Sequence, residues 1–225
     1  MPVEGPVALV EPSFSDLPSG GDWESVTTQG HLSRILAVLC FAGLLFGCLV
    51  GRTEILFADG LRYIALARSL EGGANAEALR RSVDHPVYPL AIAAAHRVAG
   101  GDDRPESWQA AAQWASVIAG LLLVIPFHLM VRELFGDILA FPASLLFFGL
   151  PMVGHVFADA LSESTFLLFW TSGLWGALRF LRSGSPFGLS LAVLASGMAF
   201  LTRPEGLLLP AALAMTLAIH FAWVV

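Results

Sequence analysis

Five ionisable residues lie at breaks between the apolar stretches of this chain, and their types suit proton transfer and phosphate binding. Asp59 and His85 follow the first apolar stretch, Asp159 and Glu163 follow the third, and Arg203 follows the fifth. If the chain crosses a membrane at each stretch, all five lie on one face. Because ionisable groups are costly at membrane depth, such a gathering indicates a working site.

The carboxylates among them allow more than one interpretation. Asp59 precedes a helical stretch, so it suits a helix N-cap, a general base, or both. Asp159 and Glu163 have the spacing of one helix face, close to a helix N-terminus, which favours acidic residues. Glu163 leads into an apolar stretch, where a paired cation or a metal ion would stabilise it. Two carboxylates are too few to define a metal site, so we assign no metal ligand.

The cationic candidates are His85 and Arg203. Pro86 favours an extended backbone at His85, which therefore lies in a rigid turn, either solvated or donating to an anionic group. Arg203 belongs to the motif Leu-Thr-Arg-Pro-Glu-Gly between two apolar stretches. It is either an interfacial arginine paired with Glu205 or a phosphate ligand, because a guanidinium group matches phosphate oxygens in a bidentate way.

The composition indicates an integral membrane protein. Of the 225 residues, 56% are hydrophobic and 13% are charged, which is about half the charged fraction of a soluble domain. The net charge of −6 argues against a nucleic-acid ligand. Cys40 and Cys48 lie in the same apolar stretch, so the cysteines predict no disulfide and leave the redox compartment undetermined.

Helices must position these residues. We predict an all-α integral membrane protein, a polytopic bundle of about six transmembrane helices with two juxtamembrane interfacial helices after the first span. The interfacial helices are predicted at 61–70 and 89–98, and prolines 126, 142 and 151 are predicted to kink the spans in which they lie. The predicted spans are 35–51, 109–131, 138–154, 164–181, 187–202 and 207–225.

The chain divides into a disordered tail, 1–34, and a transmembrane domain, 35–225. The tail lacks the basic region of a cleaved signal, so we interpret the first span as a signal anchor. The chain ends within an apolar stretch, which suggests that it is the N-terminal portion of a longer protein, with the domain incomplete at its C-terminus. Arginines are more numerous in the loop 52–108 than on the opposite face, and by the positive-inside rule that count alone would place the loop in the cytoplasm.

In their order, these motifs resemble the GT-C superfamily of integral membrane glycosyltransferases. The likeness is closest to the branch of dolichyl-phosphate-mannose–protein mannosyltransferases, bacterial aminoarabinose transferases and RgtA/B/C/D-like lipid-sugar transferases. It covers residues from about 35 to the end of the chain. The residues that carry it are Asp59-Gly60 with Tyr63, His85-Pro86-Val87-Tyr88-Pro89-Leu90, Leu161-Ser162-Glu163 and Leu201-Thr202-Arg203-Pro204-Glu205-Gly206-Leu207.

The resemblance implies inverting transfer of a sugar from a polyprenyl-phosphate-linked donor, with the loop 52–108 on the exoplasmic face. It gives Asp59 the role of general base, assigns the leaving phosphate to Arg203 and His85, and makes Glu163, or else Asp159, a supporting acid. Further site candidates are Tyr63, Tyr88 and Glu205. The family usually has more spans than six.

The partners implied are the donor, a lipid, glycan or protein acceptor, and membrane lipids, with no nucleic acid. No cofactor is certain, and the need for a divalent metal stays open. The protein is expected to be a multi-pass integral membrane protein, of the plasma or inner membrane if the source is bacterial.

Two other classes of protein remain as alternatives, a transporter or flippase subunit and a catalytically inactive membrane scaffold. Transporters place ionisable residues near the bilayer midplane, whereas those found here lie at span ends. A scaffold would be favoured if Asp59 lay far from Arg203 in the fold. The sugar, the acceptor and the oligomeric state do not follow from the sequence.

Overall fold

The computed structural model describes residues 20–53, 57–73, 77, 79–80 and 82–224, and this part of the chain is built from helices without a strand. The prediction of an all-α protein is therefore confirmed. The elements are α1 Gly20–Val50, α2 Ala58–Glu71, α3 Val87–Val98, α4 Pro105–Phe135, α5 Asp137–Gly149, α6 Pro151–Ala158, α7 Glu163–Ser183, α8 Pro186–Phe200, a 3₁₀ turn Pro204–Leu207 and α9 Leu208–Val224.

The chain forms two units, Met1–Arg34 and Ile35–Val225. In the first unit the described residues, 20–34, belong to α1. Residues 1–19 of the predicted disordered tail lie outside the described residues. The second unit contains all the predicted site residues.

Two of the described helices are long and apolar enough to cross a membrane, Gly30–Val50 within α1 and Pro105–Phe135. The bent pair α5 and α6 would make a third span. Two shorter apolar stretches, Pro186–Phe200 and Pro204–Ile219, coincide with the last two predicted spans. By length and composition, two or three of the described segments can thus cross a membrane, as in an integral membrane protein, and the six predicted crossings remain a proposal.

The predicted span 138–154 is not one continuous helix, and the kink predicted at Pro151 is a break. It consists of α5 and α6, which meet at Leu150 with a bend of 61°. Pro151 forces the preceding Leu150 into an extended conformation, with φ −63° and ψ 126°, so α5 ends there instead of kinking. Pro126 and Pro142 lie inside continuous helices, and the kinks predicted at them stay predictions.

The interior of the second unit has two apolar clusters. One joins α2, α3 and the start of α4, and it includes Ala67, Tyr88, Ile92 and Trp108. The other joins α1 to α4, α5 and α6 through large side chains such as Phe46, Leu123, Phe148 and Phe157.

Small residues let α7 and α8 approach closely. A Cβ atom on Gly176 would lie 2.7 Å from the Gly188 oxygen and from the Ala192 nitrogen. Such contacts between small residues are the usual basis of helix packing in membranes. They hold α7 and α8 in fixed positions, with Glu163 at the start of α7 and Arg203 just after the end of α8.

Candidate active site

Asp59 lies in the first turn of α2, and its side chain is 54% exposed. The residue at the N-cap position is Phe57, so the interpretation of Asp59 as the N-cap is wrong. A carboxylate in the first turn is nevertheless favoured by the helix dipole. One carboxylate oxygen lies 2.9 Å from Nη1 of Arg62, one helical turn further on.

Arg62 connects Asp59 to the segment that precedes α3. Its Nε and Nη2 atoms donate to the two carboxylate oxygens of Asp84, at 3.3 and 3.2 Å. The hydrogen bond from Arg62 to Asp84, with the attraction of Asp84 and Asp59, raises the pKa of Arg62 above its ordinary value. The guanidinium therefore stays charged and lies between two carboxylates.

Arg203 pairs with Glu163, which is 40 residues away in the sequence. Its Nη1 atom donates to Oε1 of Glu163 at 2.6 Å, and its Nε atom lies 3.5 Å from Oε2 of Glu205. Burial lowers the pKa of Arg203, but the hydrogen bond to Glu163 and the attraction of both carboxylates outweigh burial and raise it. The second oxygen of Glu163 is buried and makes no hydrogen bond within the described structure.

The backbone around Arg203 is a tight turn at the end of α8. Arg203 is extended, with φ −153° and ψ 145°, and its N–H donates to the Ala199 oxygen at 2.8 Å. Gly206 packs against the backbone of Phe200 so closely that a Cβ atom there would overlap it. The glycine of the Leu-Thr-Arg-Pro-Glu-Gly motif thus allows the chain to fold back and present Arg203 toward α7.

His85 lies at the same end of α8. Its ring meets the ring of Phe200 edge to face, with centroids 5.5 Å apart. The N–H of Val87 donates to the oxygen of Leu201 at 3.2 Å, which attaches the start of α3 to the residues just before Arg203. The structure therefore places His85 beside the turn that carries Arg203.

Tyr63 and Tyr88 belong to a network of hydroxyl groups between α2, α3, α4 and the loop before α7. The Tyr63 hydroxyl shares a hydrogen bond of 3.2 Å with Ser162. The hydroxyls of Tyr88 and Ser116 lie 2.8 Å apart, and Ser116 donates to the oxygen of Leu161 at 2.9 Å. Burial raises the pKa of both tyrosines, so they remain neutral hydrogen-bonding groups near neutral pH.

Asp159 does not lie on α7. The helix begins at Glu163, and Asp159 is extended, with φ −97° and ψ 167°. The prediction that Asp159 and Glu163 share a helix face is therefore wrong. Asp159 is buried, and one of its carboxylate oxygens accepts from the N–H of Ala160 at 2.7 Å. Burial raises its pKa, the backbone hydrogen bond opposes this, and repulsion by Glu163 adds to it.

The predicted residues gather at one end of the second unit. Gly60, next to Asp59, lies against Ala160, where an added Cβ atom would be 2.8 Å from the Ala160 oxygen. The Tyr63 hydroxyl shares its hydrogen bond with Ser162 of the same loop, and the charges of Asp84, Asp59 and Arg203 all act on its pKa. The helix of Asp59 thus contacts the loop that leads directly to Glu163.

Among the residues described, no group of three His, Cys, Asp or Glu side chains is placed to hold a metal ion. Sequence reasoning did not assign Arg62, Asp84 or Ser162 to the site. Arg62 could have been found, because it follows Asp59 by three residues on one helix face. Asp84 and Ser162 carry no such local signal, since their partners come from other elements.

A helical membrane chain with carboxylates, a guanidinium and an imidazole at one end of its bundle has the parts of a membrane transferase that acts on a phosphate-linked substrate. A family model described as dolichyl-phosphate-mannose-protein mannosyltransferase matches residues 84–224. The match covers more than half of the chain, which therefore belongs to this family of membrane glycosyltransferases.

The predicted resemblance is confirmed by this match. No curated protein and no solved structure matches the chain. The matched range contains His85, Tyr88, Asp159, Glu163, Arg203 and Glu205, whereas Asp59 and Tyr63 precede it.

Proposed function

We propose that this chain transfers a sugar from a polyprenyl-phosphate-linked donor to an acceptor at the exoplasmic face, with inversion at the anomeric carbon. Asp59 removes the proton of the acceptor nucleophile, which forms the new bond to the anomeric carbon. The bond from that carbon to the phosphate oxygen breaks, and polyprenyl phosphate leaves with the electron pair. The observation that carries the proposal is the contact of the Asp59 helix with the loop leading to the Glu163–Arg203 pair.

The position of Asp59 suits a general base. Its carboxylate is exposed, so an acceptor can reach it, and it lies at the end of a helix that is fixed to the rest of the site. Arg62 and Asp84 hold the carboxylate in place through the ion pair and the two hydrogen bonds described above. In an inactive scaffold, Asp59 would have no defined position relative to Arg203. This geometry therefore also argues against that alternative.

Arg203 suits a leaving phosphate. Its stronger contact, 2.6 Å to Glu163, involves a partly buried carboxylate and orients the guanidinium. Its contact to Glu205 is longer, 3.5 Å, and that carboxylate is half exposed. A phosphate can take the place of Glu205 while Glu163 keeps its hydrogen bond. The guanidinium then stabilises the charge that develops on the leaving oxygen.

An apolar groove begins beside these residues and suits the lipid tail of the donor. It has a volume of about 380 Å³ between α3, α4 and α7, and Val87 and Thr165 line it close to His85 and Glu163. Leu122, Leu168 and Phe169 also line a second groove, of about 440 Å³, between α4, α7 and α8. The shared residues make one continuous apolar path along α4 and α7.

The placement of charge favours a transferase over a transporter. Asp59 is in the first turn of α2, Glu163 is the first residue of α7, and Arg203 follows the end of α8. Transporters place their substrate site near the bilayer midplane, on interrupted helices. Helix ends are where an enzyme meets both a lipid-linked donor and an acceptor from the aqueous phase.

The test is transfer of labelled sugar from a polyprenyl-phosphate donor pool in membranes that carry the chain, comparing wild type with Asp59→Asn. Asp137→Asn is the matched control. Asp137 also lies in the first turn of a helix, is 53% exposed and pairs with an arginine, but it is at the opposite end of α4. Asparagine keeps the shape of aspartate without its basicity, so we expect a loss of at least about 100-fold for Asp59→Asn, as for other general bases.

Equal transfer by wild type and Asp59→Asn, at equal expression, would remove Asp59 from the mechanism. Equal losses in both variants would assign the effect to folding instead of chemistry. An absence of transfer by wild type over a panel of donors would contradict the proposed activity of this chain.

A further inference from the structure

His96 forms a second polar centre, at the other end of α2 from Asp59. Its side chain is only 5% exposed. Its Nδ1 atom lies 3.2 Å from Oε2 of Glu71, the last residue of α2, and its Nε2 atom lies 2.9 Å from the backbone oxygen of Asp102. Its ring stacks on Trp108 of α4, with centroids 3.7 Å apart and an angle of 11°. We call these four residues the His96 cluster.

Both ring nitrogens of His96 face oxygen acceptors. A neutral imidazole has only one N–H group, so it can satisfy one of these acceptors and must turn a lone pair toward the other. The imidazolium form donates to both and also stacks favourably on an indole ring. The cluster would hold the same number of protons if His96 were neutral and a protonated Glu71 donated to its Nδ1 atom. Loss of one proton therefore breaks a contact in either arrangement.

The surroundings of the cluster are charged and closely packed. From α2, Arg68 lies over the Trp108 ring at 5.9 Å and donates to Asp103 at 2.6 Å. Asp103 also accepts from the Trp108 indole at 3.3 Å, and the side chain of Asp102 pairs with Arg104. On α4 the group that stacks on the ring is Trp108 itself. The loop fits closely, since a Cβ atom on Gly101 would lie 2.5 Å from the His96 ring.

We propose that His96 is a positioning residue that fixes the C-terminal end of α2 when the cluster holds its proton and releases it when the proton is lost. Helix α2 has 14 residues and is about 21 Å long, so it acts as a rigid rod between Glu71 and Asp59. A shift at one end moves the other. Protonation of the cluster thus controls the placement of Asp59, and this last consequence rests on the proposed function.

The first experiment measures α2 directly and needs no substrate. Backbone hydrogen exchange of peptides covering Ala58–Glu71 is followed by mass spectrometry in nanodiscs at pH 5 and pH 8, with correction for the intrinsic exchange rates. Wild type should lose about tenfold in protection at the higher pH, the ratio expected when a hydrogen bond to a charged group is lost. His96→Phe keeps the stacked ring without the hydrogen bonds, so it should show the lower protection at both pH values.

Two further variants guard against misfolding and unspecific effects. Glu71→Gln is the milder change, and it should reduce the pH dependence of protection, because an amide can either donate to or accept from Nδ1 of His96. His155→Phe replaces an exposed histidine on α6 and should behave as wild type. Tryptophan emission gives a second signal, because an imidazolium stacked on Trp108 should quench that ring, one of six tryptophans in the chain. This pH-dependent quenching should vanish in His96→Phe.

Equal protection of α2 at both pH values in wild type would overturn the proposal, as would the same pH dependence in wild type and His96→Phe. The link to Asp59 is tested by the pH profile of sugar transfer. In wild type, sugar transfer should decline between pH 5 and pH 8 as α2 loses protection. In His96→Phe this decline should be absent. If the exchange of α2 depends on pH but the pH profile of transfer is the same in both proteins, only the link between His96 and Asp59 is overturned. An absence of transfer by wild type would contradict the proposed function and would leave the exchange result intact.

Discussion

Asp159 is the most buried of the predicted site acids, at 5% exposed, against side-chain values of 37% for Glu163 and 54% for Asp59. Burial penalises its charged form, and repulsion by Glu163 adds to the penalty, so its pKa lies above the ordinary aspartate value. The folded protein therefore binds a proton at Asp159 more readily than the unfolded chain does. Folding and protonation are coupled at this residue.

We predict that the contribution of Asp159 to stability is fully present below pH 3.8, its ordinary pKa, and is lost as the pH rises through its raised folded pKa. Each unit by which the pKa is raised corresponds to about 1.4 kcal/mol. Asp159→Asn should therefore be more stable than wild type near neutral pH and should lack this part of the pH dependence.

Thermal unfolding of the two proteins in detergent, followed by circular dichroism at a series of pH values, measures the difference. Other carboxylates titrate in both proteins and cancel in the comparison. A pH-independent difference between the two curves would show that the pKa of Asp159 is the same in the folded and unfolded states, and it would contradict the prediction.

At the residue scale the sequence predicts which side chains meet at the site better than it predicts their partners. Glu205 follows Arg203 by two residues, and their pairing was expected. Glu163 is the stronger partner, and it depends on the packing of α7 against α8, which leaves no local mark in the sequence. The contact of Tyr63 with Ser162 spans 99 residues and could not be predicted for the same reason.

At the scale of elements, the close packing of α2 on the loop before α7 decides where Asp59 lies. Gly60 is buried against Ala160, and there is no room for a side chain between them. The hydrogen bond between Tyr63 and Ser162 holds the same two segments together. A change at Gly60 should therefore separate the general base from Arg203 without altering either residue.

We predict that Gly60→Ala destabilises the protein and abolishes sugar transfer. Its Cβ atom would lie 2.8 Å from the Ala160 oxygen and 3.2 Å from the Ala160 Cβ atom, which is too close for either contact to persist. Overpacking of this kind costs about 1–3 kcal/mol. The measurements are thermal unfolding and transfer of labelled sugar.

Gly197→Ala is the matched control, since Gly197 is also within a helix and an added Cβ atom there meets nothing within 4 Å. Alanine is the better helix former, by about 1 kcal/mol, so this variant should gain stability and keep its activity. Equal gains in both variants would mean that α2 does not pack on the loop as described.

The two helices of the long loop, Ala58–Glu71 and Val87–Val98, contain the predicted stretches 61–70 and 89–98, because apolar spacing is a strong signal in such segments. At Pro151 a kink was predicted, and the structure has a break at Leu150, because the residue before a proline seldom stays helical. The loop 159–162 was predicted as helix because its residue types allow one. Contacts from other helices, such as Ser116 to the Leu161 oxygen, stabilise its non-helical form instead.

At the scale of the whole second unit, several helical segments run between the same two ends. Ser116, in the first half of α4, donates to the oxygen of Leu161, which follows α6. Glu133, near the end of α4, accepts hydrogen bonds from Trp175 and Arg182 of α7. Leu201, after α8, accepts from Val87 at the first end. The pair α5 and α6, then α7, then α8 thus run in turn alongside the part of α4 between Ser116 and Glu133, and α4 is long enough to cross a membrane.

Hydropathy alone does not establish these crossings. Helix α8 has 15 residues and is about 22 Å long, less than the roughly 30 Å of a typical hydrocarbon core. Its antiparallel packing on α7, through glycines and alanines, is the better argument that the two helices cross together. If all of these segments cross, together with α1 and α9, the chain has the six crossings that we propose.

Six crossings predict that Ser69 on α2 and Ser183 at the end of α7 lie on opposite sides of the membrane. Single cysteines at these exposed positions, in a chain whose Cys40 and Cys48 are replaced by alanine, should react with an impermeant maleimide from opposite sides. Asp137→Cys, in the turn between α4 and α5, should react from the same side as Ser183→Cys.

The proposed reaction further requires Ser69→Cys to react from outside intact cells, whereas the excess of arginines in the loop 52–108 favours the cytoplasm. If Ser69→Cys and Ser183→Cys react from the same side, the six crossings are contradicted. If Ser69→Cys reacts only after the cells are opened, transfer at the exoplasmic face is contradicted.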